Sequence, residues 1–286
     1  MAFQHLLYET QGGVAEIVLN RPDKLNALGM GAGSNRDEIV TALQQADADD
    51  AIGCILLRAN GKAFCAGGDL SGGVGVGTPL DEHLFGASIV AFYAAIRAIH
   101  KPIVVAIHGL CLGAGMGLVA QCDLLVASDD ARFGLIEGRI GHPGATELVP
   151  IIGAAWAKFL ILTGELIDAE RARAIGLVLG VEPPALLLAR TRELARRIAS
   201  LPREGVLLNT ACIADMSDAM GRSAARLVGR AHDSVTKSMA AQAKAPDGRL
   251  FADILRDGGV DALKRAREQQ YQGHWLAPSV QKPDAS

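Results

Sequence analysis

Ile103-Val104-Val105-Ala106-Ile107 runs straight into His108-Gly109-Leu110-Cys111-Leu112-Gly113-Ala114-Gly115-Met116-Gly117, and this stretch decides the fold. The apolar, β-branched run predicts a buried strand, Gly109 a turn, and the small residues from about Gly113 to Gln121 a helix. Pro102 to Cys122 holds no formally charged residue, but four glycines, a leading proline and His108 interrupt it, so strand, turn and helix are expected here and not a membrane crossing. Upstream lies the first glycine cluster in chain order, Phe64-Cys65-Ala66-Gly67-Gly68-Asp69-Leu70, which continues through Gly72, Gly73 and Gly75 to Gly77. A dinucleotide fingerprint fails in the Ile103 to Gly117 stretch because Leu118 stands where its third glycine belongs, and neither cluster ends in the Gly-Lys-Ser/Thr of a P-loop. What remains is a pair of exposed backbone N–H sites, one on a turn and one at a helix start, suited to an anion or a developing oxyanion.

Composition narrows the classes around these clusters. Glycine makes up 33 of 286 residues, against roughly 7% on average, and it clusters without the fixed period of a collagen. Half the chain is apolar and 21% is charged, which suits a globular core and excludes disorder over most of the length. With 28 basic against 31 acidic residues there is no basic excess for nucleic acid, and a small-molecule substrate is the expectation. The five cysteines (Cys54, Cys65, Cys111, Cys122, Cys212) form no Cys-x-x-Cys pair and read as reduced core residues of a cytoplasmic protein, without zinc or disulfides. The N-terminus has no basic region followed by an apolar stretch, so no secretory signal is expected.

Working outward along the chain, Phe3 to Glu9 and Val14 to Asn20 read as strands joined by Gly12-Gly13, followed by a turn at Arg21-Pro22-Asp23. A helix over Ser34 to Ala46 is capped by Ser34, and a strand follows at Ala51 to Arg58. A long helix from Leu80 to Ile99, partly apolar at Leu84, Phe85 and Phe92, reaches Tyr93 as a candidate wall of a substrate pocket. Asp123 to Ala127 reads as a further buried strand, so strands and helices alternate as in a parallel sheet. Phe133 to Gly144 reads as irregular, with helices near Ala154 to Thr163, Asp168 to Ala174 and Pro184 to Ser200. The charges of Arg190 to Arg197 fall at helical spacing and read as a solvated face. From Arg203 the pattern is helical to about Gln270, broken at Ala245 to Arg249, and His274 to Ser286 reads as a loose tail. The expected division is therefore a core over 1–202 and a helical region over 203–286.

The two glycine clusters, together with Leu19-Asn20-Arg21-Pro22 and Leu25-Asn26-Ala27, resemble the crotonase (enoyl-CoA hydratase/isomerase) superfamily. That family shows an Asn-Arg-Pro…Asn-Ala-Leu segment, a Phe-x-Ala-Gly-x-Asp loop, a strand ending in a glycine-rich turn, and a helix running to Cys-Asp. All four occur here in order, the last as Gln121-Cys122-Asp123. The similarity continues through Phe133 and Leu166-Ile167-Asp168-Ala169 to Gly176-Leu177-Val178, roughly the first two thirds of the chain. The resemblance implies an α/β fold, a crotonase-like spiral of ββα units with a C-terminal helical region that assembles trimers or dimers of trimers. It also implies an acyl-CoA thioester substrate, with CoA part of the substrate and no separate cofactor or metal, and no nucleic-acid or membrane partner.

Carried over position by position, the resemblance places the thioester oxygen between the N–H groups of Gly68 and Ala114. Alanine stands where the family usually has glycine, but any residue except proline supplies the N–H. CoA itself falls near Lys24, Leu25, Ala27, Lys62, Ala66, Asp69 and Leu70. The family's hydratases use two glutamates; one matches Glu137, and the other position holds Gly117, which cannot transfer a proton. Apolar neighbours in Phe133-Gly134-Leu135-Ile136-Glu137-Gly138 are expected to raise the pKa of Glu137. A single carboxylate suffices to shuttle a proton from C2 to C4, so isomerisation is favoured over two-glutamate hydration. Hydration by another group, a thioester hydrolase or decarboxylase, and a non-catalytic CoA- or RNA-binding protein stay open. His142 and Glu147, in Gly141-His142-Pro143-Gly144-Ala145-Thr146-Glu147, are the candidates for an auxiliary group.

Overall fold

The computed structural model describes residues 3–29, 33–70, 79–142, 144, 146–222, 224–225, 228–229, 235, 239, 242–269, 271 and 273–276. Gly72, Gly73, Gly75 and Gly77 of the first glycine cluster, Pro143 and Ala145 of the candidate auxiliary segment, and the tail from 277 lie outside them. Six strands form the main sheet: β1 (Leu6–Gln11), β2 (Val14–Leu19), β3 (Cys54–Ala59), β4 (Ile103–Ile107), β6 (Leu124–Ser128) and β9 (Gly180–Glu182), in that spatial order. β1 and β2 pair antiparallel through the turn at Gly12-Gly13; every later neighbour is parallel. A second, three-stranded sheet joins β5 (Leu110–Leu112), β7 (Arg132–Gly134) and β8 (Ile167–Asp168).

Two-residue alternation sorts the main sheet onto two cores. Val14, Cys54, Leu56, Val104, Ala106 and Val126 face α6 (Pro184–Ala199), packing against Leu187 and Ala195. Ile17, Leu19, Ile55, Leu57, Val105 and Ile107 face the opposite way, into the larger core with α1 (Asn35–Ala48), α2 (Pro79–Arg97) and α3 (Ala114–Val119). The arginines of α6 do more than meet solvent. Arg192 reaches back to Glu16 of β2, which also takes Arg58 of β3, while Arg190 and Arg197 pair with Glu182 and Glu193.

Several expectations shift by local physics. The run Leu110–Leu112, expected as part of a turn, is a strand, because at Gly109 the chain leaves the main sheet for the smaller one. The helix that follows is accordingly short, Ala114–Val119. The stretch expected to be irregular contains β7 and a 3-10 turn at Ile136–Ile140. Helix α4 (Val149–Thr163) starts before Ala154 and is broken at Gly153, whose φ is +77°. Ser34 stands at the N-cap of α1, but its hydroxyl makes no cap bond; Asn35 and Asp37 accept from Gly29 and Gly33 instead. Asp168 does cap α5 (Ala169–Ala174), accepting from the Arg171 N–H at 2.8 Å. Cys54, Cys65, Cys111 and Cys122 are buried, whereas Cys212 is exposed and is not a core residue.

Two helices whose full extent is described stand in the C-terminal region, α7 (Arg203–Ala219) and α8 (Phe251–Glu268). Helix α7 buries none of its residues and presents Leu208, Ile213 and Met216 to the outside, with Met220 exposed just past its end. By contrast, α8 packs Ile254, Leu255 and Leu263 into one apolar cluster with Ile140 and Leu70, at the end of the Phe64–Leu70 segment. Arg139 secures it, pairing with Glu268 and stacking on the Tyr271 ring at 3.7 Å.

One buried side chain ties the N-terminal loop to the first cluster. Asn26 is fully buried at a φ of +54°, donates to the carbonyls of Asn60 and Ala63 at 2.8 Å each, and accepts from the Arg21 N–H at 2.8 Å. Asn26→Ala orphans those groups and should cost about 2–4 kcal/mol, read as a lower urea midpoint at unchanged slope.

Candidate active site

The two glycine clusters meet because their strands pair. The Phe64 N–H donates to the His108 carbonyl, Cys65 to Leu110, and Leu112 back to Cys65, each at 2.9 Å, so the segments run parallel and end together at Gly67 and Gly113. On the far side, Leu28 donates to Gly67 and Asp69 to Leu28, both at 2.8 Å. This parallel bridge uses the carbonyl of Gly67 and the N–H of Asp69, which turns the N–H of Gly68 the other way, toward α3. Ala114 is the first residue of α3, so its N–H has no intrahelical partner. Among the described residues neither N–H meets a protein acceptor. The two sites expected from the sequence are therefore neighbours: a Cβ built on Gly67 would stand 3.9 Å from the Ala114 nitrogen.

Glu137 closes this corner. Its 3-10 turn is held where Gly138 passes too close to the Ile161 carbonyl for any Cβ. The carboxylate lies against Gly113: a Cβ there would fall 3.0 Å from Oε2 and 3.4 Å from Oε1. With φ at +50°, Gly113 is a position for glycine on both counts. Gly144 packs on the other side, where a Cβ would lie 3.3 Å from Oε1. Oε2 is buried and finds no hydrogen-bond partner among the described residues. Burial pushes the Glu137 carboxyl up to about 7, against smaller opposing effects from its own backbone N–H and from Arg267 of α8. Near neutral pH the group is thus divided between acid and base.

Gly117 lies one helical turn beyond Gly113, and its missing side chain is replaced from elsewhere. Tyr93 of α2 fills the space: a Cβ on Gly117 would come within 2.6 Å of its Cζ and closer still to its Oη. The hydroxyl donates to the Ala114 carbonyl at 3.3 Å. Burial raises the phenol well above the usual tyrosine range; nearby Glu147 and Glu137 add to this and Arg36 opposes it. Tyr93 is therefore neutral at any working pH. Sequence reading reached it only as the end of a candidate pocket wall. Within that wall Phe92 is buried against Arg36, while Leu80 and Leu84 are exposed.

The auxiliary candidates divide. Glu147 comes close enough to Tyr93 to act on its charge, and Thr146 donates to its carboxylate at 3.3 Å. His142 is fixed through its backbone, donating to the Glu137 carbonyl at 3.0 Å. The candidate CoA residues share one rim. Ala66 donates to the Leu25 carbonyl at 3.0 Å, Arg21 donates to the Ala27 carbonyl at 2.9 Å and to Asp69 at 3.0 Å, and Gly61 packs on Pro22, bringing exposed Lys62 toward the turn of exposed Lys24. Asp69 is engaged by Arg21, so its part is to hold the loop. Leu70 belongs to the apolar contact with α8. Among the described residues no cluster of His, Cys, Asp and Glu could hold a metal ion.

Comparison with known proteins identifies the family of the chain. Residues 9–245 match the family model described as enoyl-CoA hydratase/isomerase. A protein of Rhizobium meliloti bearing the name probable enoyl-CoA hydratase is 38% identical over 204 residues, covering 70% of this chain and 77% of that protein. The crotonyl-CoA hydratase of Syntrophomonas wolfei is 32% identical, covering 74% of this chain and 82% of that one. The crystal structure of an enoyl-CoA hydratase/isomerase from Xanthobacter autotrophicus Py2 superposes with a TM-score of 0.83 at 27% identity, covering 95% of this chain and 100% of that one. With the parallel sheet, the paired glycine turns and these matches together, the chain belongs to the enoyl-CoA hydratase/isomerase family of crotonase-fold enzymes.

Proposed function

We propose that the protein moves the double bond of an enoyl-CoA from the 3,4 to the 2,3 position, with Glu137 as the single base and the N–H groups of Gly68 and Ala114 holding the thioester oxygen. The observation that carries this reading is the seat of the Glu137 carboxylate on Gly113, one residue before a backbone N–H that meets no protein acceptor among the described residues. Glu137 takes a proton from C2, and the electron pair flows into the thioester carbonyl, whose oxygen the two N–H groups stabilise. The same carboxyl then returns the proton at C4 as the carbonyl re-forms, leaving the double bond between C2 and C3. No second acid is needed, which suits a site where Gly117 and a neutral phenol stand next to the base.

Lys24, Leu25, Ala27, Lys62, Ala66, Asp69 and Leu70 are proposed to line the CoA path, the two lysines facing its phosphates. The exposed apolar side chains of α7 support a homo-oligomer, a trimer or a dimer of trimers, that covers them. A second reading, hydration with Glu147 as the other carboxylate, draws support from the approach of Glu147 to Tyr93. Formation of 3-hydroxyacyl-CoA by the wild type, lost in Glu147→Gln, would establish it.

Three outcomes follow for the isomerase reading. Glu137→Gln should lower isomerisation of 3-enoyl-CoA by about 10²–10⁴ while CoA binding survives, as measured by the product's absorbance and by calorimetry. Ala114→Pro removes the N–H at the first helical position, where proline is tolerated, and should lower kcat by about 10²–10³. Because the base must be ionised, kcat/KM should fall as pH drops through about 7. The same raised pKa favours the protonated fold, so its stabilising effect is lost as pH rises through about 7. The melting temperature of Glu137→Gln, taken relative to wild type, should accordingly climb across that range.

A further inference from the structure

Gly113 and Gly117 lie one turn apart on α3, about 6 Å along its axis, and the Glu137 carboxylate abuts the first of them. Adding water across a C2=C3 bond requires a water molecule, whose hydroxyl goes to C3, and a proton for C2. A single carboxyl at Gly113 handles one proton well, and the resemblance to the family's two-glutamate hydratases puts the second acid one turn on, at the position of Gly117. That place is filled. The phenol of Tyr93 comes closer to Gly117 than a Cβ would tolerate, it is 8% exposed, and its hydroxyl is tied to the Ala114 carbonyl. The backbone of α3 and the ring of α2 fit only as a pair, a glycine on one helix and a large side chain on the other.

We propose that Tyr93 decides the reaction outcome: its ring closes the space beside Gly117 to water and to a second acid, so the 2-enoyl product leaves without being hydrated. This rests on the isomerase reading for the wild type. Tyr93 acts by occupying space and by holding the first turn of α3, so it is a specificity-determining and positioning residue. Burial beside Glu137 and Glu147 keeps its hydroxyl protonated, and it cannot substitute for a carboxylate as base.

The test compares wild type, Tyr93→Phe, Tyr93→Ala and the double variant Tyr93→Ala/Gly117→Glu, offering each 3-enoyl-CoA and 2-enoyl-CoA and following 2-enoyl-CoA and 3-hydroxyacyl-CoA separately by mass. Acetyl-CoA affinity and circular dichroism report folding. Tyr93→Phe keeps the ring and loses one hydrogen bond, so isomerisation should fall by no more than about tenfold, with no hydration. Tyr93→Ala should raise hydration by about tenfold over wild type. The double variant places a carboxylate one turn from Gly113, on which Glu137 is seated, and should raise it by about 100-fold, the scale of one general acid–base group. Folded alanine and double variants that hydrate no faster than wild type would overturn the proposal, as would a wild type that hydrates as fast as it isomerises. If the double variant does not fold, Tyr93→Ala decides alone. A wild type silent on both substrates would overturn the isomerase reading only, since the water-excluding role of Tyr93 is still judged by whether its removal admits hydration.

Discussion

The seat of the Glu137 carboxylate on Gly113 is the contact on which the rest of this molecule turns. It requires a residue without a side chain at Gly113, and a backbone there, at φ +50°, that only glycine adopts readily. It also needs the 3-10 turn of Ile136–Ile140 pressed onto α4, where Gly138 touches the Ile161 carbonyl. Arg139, the second residue after Glu137, then fastens that turn to Glu268 and Tyr271. The helical C-terminal region is thus tied to the corner that holds Glu137, through a cation two residues from the proposed base.

That contact works against stability. The Glu137 Oε2 atom is buried with no hydrogen-bond partner among the described residues, and burial shifts the group toward its neutral form. The surrounding structure compensates with ordinary means: two apolar cores on the faces of a parallel sheet, a buried asparagine satisfied three times, and the Arg192–Glu16–Arg58 cluster binding α6 to the strands. A buried carboxyl with a raised pKa inside a well-packed frame suits the proton transfer proposed for it.

Much of this was legible in the amino-acid sequence because it follows local rules. Near-continuous apolar runs marked β2, β3 and β4, Gly12-Gly13 marked the first hairpin, and Asp168 marked the start of α5. The ordered glycine motifs brought Gly68, Ala114 and Glu137 forward together. What could not be read depends on distant packing. The three residues of β5 are too few to show a period, and their strand character comes from partners at Arg132–Gly134 and Cys65. Ser34 has the right residue type for a cap, but neighbouring Asn35 and Asp37 meet the loop's N–H groups instead. Tyr93 was hidden most completely. Gly117 showed that a proton-transferring side chain was missing, and only the crossing of α2 over α3 shows that a phenol from another helix occupies its place.

The central claim is that one carboxylate and two backbone N–H groups converge on a single thioester. A crystal structure of the protein with a bound saturated acyl-CoA, such as butyryl-CoA, tests it most directly. The account predicts the thioester oxygen at about 2.7–3.1 Å from the nitrogens of both Gly68 and Ala114, with a Glu137 oxygen facing C2. A thioester oxygen that meets neither nitrogen, or a Glu137 carboxylate directed away from C2, would contradict it.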